Sequence, residues 1–240
     1  MKYIRKAGIL FFWLAVWFAA GRIVENSLVL VGPEEVFIAL GRLLPSSAFW
    51  KTVWCSLGHI VSGFLAGFLA GMLLGGAAYR FPFFRELISP VISLMKAVPV
   101  ASFVILALIF MGSKNLALLI VFLLVIPIVY YNTLSGFQST DRDLLEMAQV
   151  FRIPAGKRLT GIYRPALRPF LVSAAQTSIG MSWKSGVAAE VIGVSAGSIG
   201  EQLYLSKIYL ETADLFAWTI TIIVLSMLCE KAFTGILKML

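Results

Sequence analysis

Long apolar runs alternate with short charged connections along the whole chain. Six runs stand out, at about 7–24, 55–79, 88–112, 115–136, 168–193 and 213–235. Each is close to the roughly 20 helical residues needed to cross a hydrocarbon core about 30 Å thick at about 1.5 Å per residue. The pattern predicts an all-α membrane protein of six transmembrane helices. The connections leave room for one membrane domain over residues 1–240 and for no sizeable soluble one. Two connections have helical periodicity of their own. In "PEEVFIALGRLLPSSAFW", Val36, Phe37, Leu40, Leu43 and Leu44 follow a Pro33 start, which predicts an amphipathic helix on the outer membrane face. Between spans four and five, over about 139–166, Thr140 or Asp141 can cap a helix that puts Leu144, Leu145, Ala148 and Phe151 on one face. Pro154 stops that helix, and after Gly156 a second short stretch, "KRLTGIYR", runs to Pro165.

Composition agrees with a membrane location. Hydrophobic residues make up 60% and charged residues 13%, against about 25% charged in ordinary soluble domains, and mean hydropathy is +0.91. A net charge of +8 would suit nucleic acid, but the distribution of the 20 Lys and Arg residues points to topology instead. With the N-terminus inside, 13 of them fall in cytoplasmic segments and 5 outside, with Lys96 and Lys184 within spans. The positive-inside rule then places both termini in the cytoplasm. The basic, apolar and small-residue order of the first 20 residues also fits a cleaved secretory signal, which would leave five spans and reverse the bias. Cys55 and Cys229 fall near opposite membrane faces, so no disulfide is expected between them.

Within span two, Gly63, Gly67, Gly71 and Gly75 recur every fourth residue and so share one helix face, where another helix can approach closely. The pattern serves packing within one chain or a dimer seam, and the former is the expectation in a compact bundle. No G-x-x-x-x-G-K-[ST] phosphate loop occurs, so energy from ATP would have to come from a partner. A lone His59, with no cluster of Asp or Cys, offers little for metal or nucleophile chemistry, and no cofactor is expected.

The basic stretch "EMAQVFRIPAGKRLTGIYRP" resembles the cytoplasmic loop of permease subunits of binding-protein-dependent ATP-binding cassette importers. Their pattern runs E-A-A, three residues, G, nine residues, then I-x-x-P or a close variant. Glu146, Ala148, Ile162 and Pro165 stand at matching positions, with Met147 as the second residue and Arg152 where glycine is usual. Pro154 and Gly156 just downstream are then expected to supply the break that the glycine would provide. "SLGHIVSGF", "MKAVPVASFVILALIFMGSKN" and "SWKSGVAAEVIG" are similar to the sulfonate, taurine and nitrate branch of that family.

The resemblance implies a type I importer permease in the cytoplasmic (inner) membrane of a prokaryote. Its implied partners are a second permease copy, a cytoplasmic ATPase dimer and an external binding protein. Lipid surrounds it and nucleic acid has no part. In the loop, Ala148 and Phe151 would anchor in the ATPase, Glu146 would accept a charge-assisted hydrogen bond, and Arg152 would meet an acidic residue or the helix dipole. For the pathway, ionisable groups inside spans suggest function, which singles out Lys96, Lys184 and Glu190. Glu190 and Trp183 match positions of the branch, and Met181, Ser182 and Ser185 could line a pore. Two lysines against one carboxylate point to a small anion such as a sulfonate, with a neutral or cationic vitamin precursor as the alternative. A secondary transporter or channel using Glu190 and Lys184 as a relay is the rival reading.

Overall fold

A computed structural model describes residues 2–24 and 30–239; the side chains of Lys2, Lys6 and Lys238, counted in the charge bias, lie outside the description. The described chain is helical: α1 Lys2–Val24, α2 Pro33–Leu43, α3 Ser47–Arg80, α4 Pro82–Ala97, α5 Val100–Met111, α6 Leu116–Gln138, α7 Arg142–Val150, α8 Ala155–Arg158, a π-helical turn Leu159–Tyr163, α9 Arg164–Gly193, α10 Ile199–Ile208 and α11 Thr212–Met239.

The centre of the molecule is the trio α3, α6 and α9. Glycines make its first joint possible. A Cβ placed on Gly63, Gly67, Gly71 or Gly75 would stand 2.5–2.9 Å from the carbonyl oxygens of Leu118, Phe122, Ile126 and Tyr130 in turn. The two backbones therefore touch over three helical turns, and the glycine period is an intramolecular seam. Around it, Ile60, Phe64 and Phe68 of α3, Val121, Val125 and Val129 of α6, and Ala174, Ala175, Ile179 and Trp183 of α9 form one buried cluster. The C-terminal helix α11 closes it, with Phe233 edge-on to Phe64 and Phe68 at 4.8 and 5.2 Å.

On the side of the α2–α3 connection, α2 uses a narrower face than its periodicity implies. Val36 and Ala39 are buried beside Ala217 of α11, with Leu40 and Leu43 partly buried, while Phe37 is exposed. Arg42 holds Asp214 at the start of α11 at 2.6 Å, and Phe49 stacks on Trp218 at 4.8 Å.

Span three departs from expectation. Residues 88–112 do not form one continuous helix: α4 and α5 meet at a 102° bend. Pro99 has no N–H to donate and pushes Val98 out of helical geometry, to φ −69° and ψ 126°. Three described helices, α3, α6 and α11, are long and apolar enough to cross a membrane, and the bent pair makes a fourth if it is one span. The apolar stretch of α1, Phe11–Val24, is shorter. The 30-residue α9 is long enough, but Ser173, Gln176, Thr177, Ser178, Ser182, Lys184 and Ser185 dilute it. Flanked by α3, α6 and α11, it does not depend on lipid contact along its whole circumference.

Candidate functional site

Three neighbourhoods hold the residues singled out by sequence. The first is the segment after α6. Asp141 caps α7, its Oδ1 accepting from Asp143 N–H at 2.9 Å. At the other end Arg152 is left-handed, with φ +50°, and Ile153 N–H donates to the Ala148 carbonyl at 2.9 Å, closing the helix in a glycine-type cap. The break therefore falls at Arg152 itself and is not displaced to Pro154 or Gly156. An L-residue there costs about 1–2 kcal/mol relative to the right-handed form, which explains why glycine suits this position. Arg158 Nε then donates to the Ile153 carbonyl at 2.9 Å and fixes α8 against the turn.

The face that α7 presents differs from the expected one. Ala148 is fully buried within the chain and so cannot be an outward anchor. Outward lie Leu144, Met147, Val150 (77% exposed) and Phe151 (74% exposed), an apolar knob beside the exposed carboxylate of Glu146. The helix has two apolar sides, and spacing alone did not say which one the bundle covers. Gly156 and Pro165 are exposed and Ile162 is half-buried in the π-turn. A π-turn widens the backbone by one residue per hydrogen-bonded ring, and such turns recur at functional places. Here it sets Tyr163 against Phe137 of α6 (5.4 Å) and Tyr79 of α3 (6.0 Å), themselves stacked at 4.9 Å. The loop is thereby tied to the glycine-seamed pair, and no periodicity in the sequence signals this.

The second neighbourhood is a cavity of about 570 Å³ where the α4–α5 bend opens against α6. Lys96 and Met181 line it, together with Tyr131 and Asn132, which sequence reasoning passed over. The Lys96 ammonium lies 5.6 Å from the Tyr131 ring centroid. Lys184 is exposed one turn beyond Met181 on the same face of α9.

The third is a closed joint. Glu190 is fully buried; its Oε2 accepts from Ser56 Oγ at 2.7 Å and from Gly200 N–H at 3.2 Å. The same Ser56 oxygen accepts from Ile199 N–H at 2.8 Å. Glu190 and Ser56 thus satisfy the first N–H groups of α10, and Glu190 faces no cavity among those described. Trp183 is buried on the α3–α11 side, also away from Lys96. Of the four expected pathway residues, only Lys96 reaches the cavity, with Lys184 beside it.

Residues 63–240 match the family described as binding-protein-dependent transport system inner membrane component. The chain belongs to this family. It is a transport permease and not an enzyme. It is similar to the putative aliphatic sulfonates transport permease of Bacillus subtilis, 24% identical over 220 residues, covering 91% of this chain and 79% of that one. It is likewise similar to the taurine transport system permease of Escherichia coli, 24% identical over 240 residues, covering 97% and 87%. Among solved structures, the methionine ABC transporter MetNI in an inward-facing crystal form shares the fold, with a TM-score of 0.64 at 17% identity, covering 78% of this chain and 94% of that one. Both named permeases, for sulfonates and for taurine, belong to the sulfonate, taurine and nitrate group that the sequence resembles.

Proposed function

We propose that the permease forms, with a second copy of itself, the translocation path of an ATP-driven importer of a small anion, and that α7 and α8 are its coupling element. The observation that carries the coupling reading is the knob of Met147, Val150 and Phe151. It is apolar, outward-facing and rigidly capped at both helix ends, beside a chain that carries no phosphate loop. Such a knob fits a groove in a cytoplasmic ATPase, as expected for a family whose members work with one. A second copy is favoured by the exposed face of α9, where Ser173, Gln176, Thr177 and Lys184 recur at helical spacing. A polar stripe on a helix at membrane depth is costly against lipid and belongs against protein or water.

The anion reading rests on charge. Glu190 is engaged in its joint, so of the three ionisable groups singled out within the spans, the two left on open faces are Lys96 and Lys184. The relatives named for sulfonates and taurine agree with it. The relay of a secondary transporter is disfavoured by the same joint, which keeps Glu190 from Lys184. Native mass measurement of the complex extracted from membranes should find two permeases with two ATPase subunits. A lone permease, with no ATPase at any detergent concentration that preserves the fold, would refute the proposal.

We place both termini in the cytoplasm, with six spans, on the charge bias. A cysteine introduced at Tyr209, an exposed position, is expected to react with an impermeant reagent from outside, and one at Val150 only after the membrane is opened. The reverse pattern would overturn the topology.

A further inference from the structure

The cavity at the α4–α5 bend joins two requirements that few solutes meet together. Its walls are mostly aliphatic and aromatic, with Val91, Leu94, Met95, Phe103, Leu124 and Met181 among them. Into this lining projects one cation, Lys96, and among the described residues no ion pair is formed with it. The Tyr131 ring at 5.6 Å offers it only the negative face of a π system. The Asn132 amide beside it is turned to its own helix, donating to the Ile128 carbonyl at 2.8 Å. Glu190, the carboxylate singled out within span five, lines no part of this cavity and is held in the joint with Ser56 and Gly200. Lys96 is exposed at the open side of the cavity; where α4 lies within a membrane span, a lysine without a counter-charge is costly, and a passing anion would supply what it lacks.

Size narrows the choice. A bare inorganic anion is comparable to one or two water molecules, each taking about 30 Å³ of liquid volume. The cavity, open on one side, has a volume of about 570 Å³. A small ion there would leave its apolar walls wetted and unpaired, whereas ligand sites of this type bury an apolar body against such walls and fix its orientation with a few polar groups.

We infer that Lys96 fixes the acidic group of the transported solute at this cavity, and that the solute is an organic anion with an apolar body, as opposed to a bare inorganic ion. This rests on the importer reading above and assigns its substrate class and one specificity-determining residue. The observation behind it is a lysine without an ion pair in a mostly apolar cavity of about 570 Å³.

The test is photolabelling with 4-azidobenzenesulfonate in membrane vesicles carrying the permease with its ATPase, followed by mapping of the labelled peptides. Label is expected in the segments 91–103 and 120–132. Excess benzenesulfonate should displace it, while nitrate and phenyltrimethylammonium at the same concentration should not. Lys96→Met should lower labelling roughly tenfold, the factor that a single charge-assisted hydrogen bond commands. Lys96→Arg should retain it, which separates loss of charge from loss of fold, and Lys207→Met, an exposed position on α10, should leave it unchanged. Unchanged labelling in Lys96→Met, or equal displacement by nitrate, would overturn the inference while the ATPase still co-purified and the importer reading stood. Failure of the ATPase to co-purify from the same vesicles would bring down both.

Discussion

Gly71→Leu is expected to leave no folded permease. A Cβ at residue 71 would meet the Ile126 carbonyl oxygen and the Val129 Cβ, both at 2.8 Å. Neither atom can step aside, because one is backbone and the other lies at the root of a β-branched side chain. The helices would have to part by more than an ångström, opening the buried cluster on both sides of the seam. Even Gly71→Ala should cost about 1–3 kcal/mol, the usual range for overpacking, and leucine adds three more carbons to the same space. Gly58 provides the contrast within the same helix. A Cβ there has nothing within 4 Å, so Gly58→Ala should be neutral or stabilise by up to about 1 kcal/mol through helix propensity. Thermal unfolding of the detergent-solubilised protein, followed by fluorescence-detected size exclusion, separates the two. Equal melting of Gly58→Ala and Gly71→Ala would refute the seam.

That seam was legible because its signal is local. Small residues at every fourth position define a face whatever the rest of the chain does. The break in span three was not legible for a related reason. Pro90, Pro127 and Pro169 sit inside helices, whereas Pro99 ends one. A proline frees a backbone carbonyl in every case, and whether the helix survives depends on neighbours that can re-satisfy it, which the local sequence does not name. Glu190 illustrates the same limit. A carboxylate in an apolar run marks something unusual, but its partner Ser56 is 134 residues away. The choice between pathway and joint is made by that contact. In α7 the amphipathic periodicity was evident, and so was the family resemblance. What escaped was which of two apolar edges the bundle would cover, and so Met147 and Val150 were passed over in favour of Ala148.

The second large effect concerns that outward edge. If α7 inserts in an ATPase groove, Phe151, 74% exposed in the isolated chain, becomes a buried aromatic anchor. Truncating such an anchor commonly costs 2 kcal/mol or more, which is about thirtyfold in affinity. Glu146, exposed beside it, can accept a charge-assisted hydrogen bond, contributing about 1.5–3 kcal/mol once shielded from water. Arg152→Gly should do the opposite of both. It relieves a left-handed residue, and the gain in the cap, about 1–2 kcal/mol less the roughly 0.5–1 kcal/mol entropy cost of glycine, leaves the knob intact. Anchoring of the loop on lipid headgroups makes a different forecast, because that attraction follows total positive charge, about 1 kcal/mol for each Lys or Arg near the surface. A single carboxylate and a single phenyl ring would hardly register in it.

Co-purification of the ATPase with the tagged permease, from membranes expressing both at equal levels, therefore tests the central claim most directly and requires no knowledge of the solute. For Phe151→Ala and Glu146→Ala, permease should be recovered from the membrane in normal amount with the ATPase reduced at least tenfold, while Arg152→Gly retains it in full. Undiminished ATPase with both Phe151→Ala and Glu146→Ala would contradict the account, because the segment from Asp141 to Tyr163 would then not be what joins this permease to its source of energy.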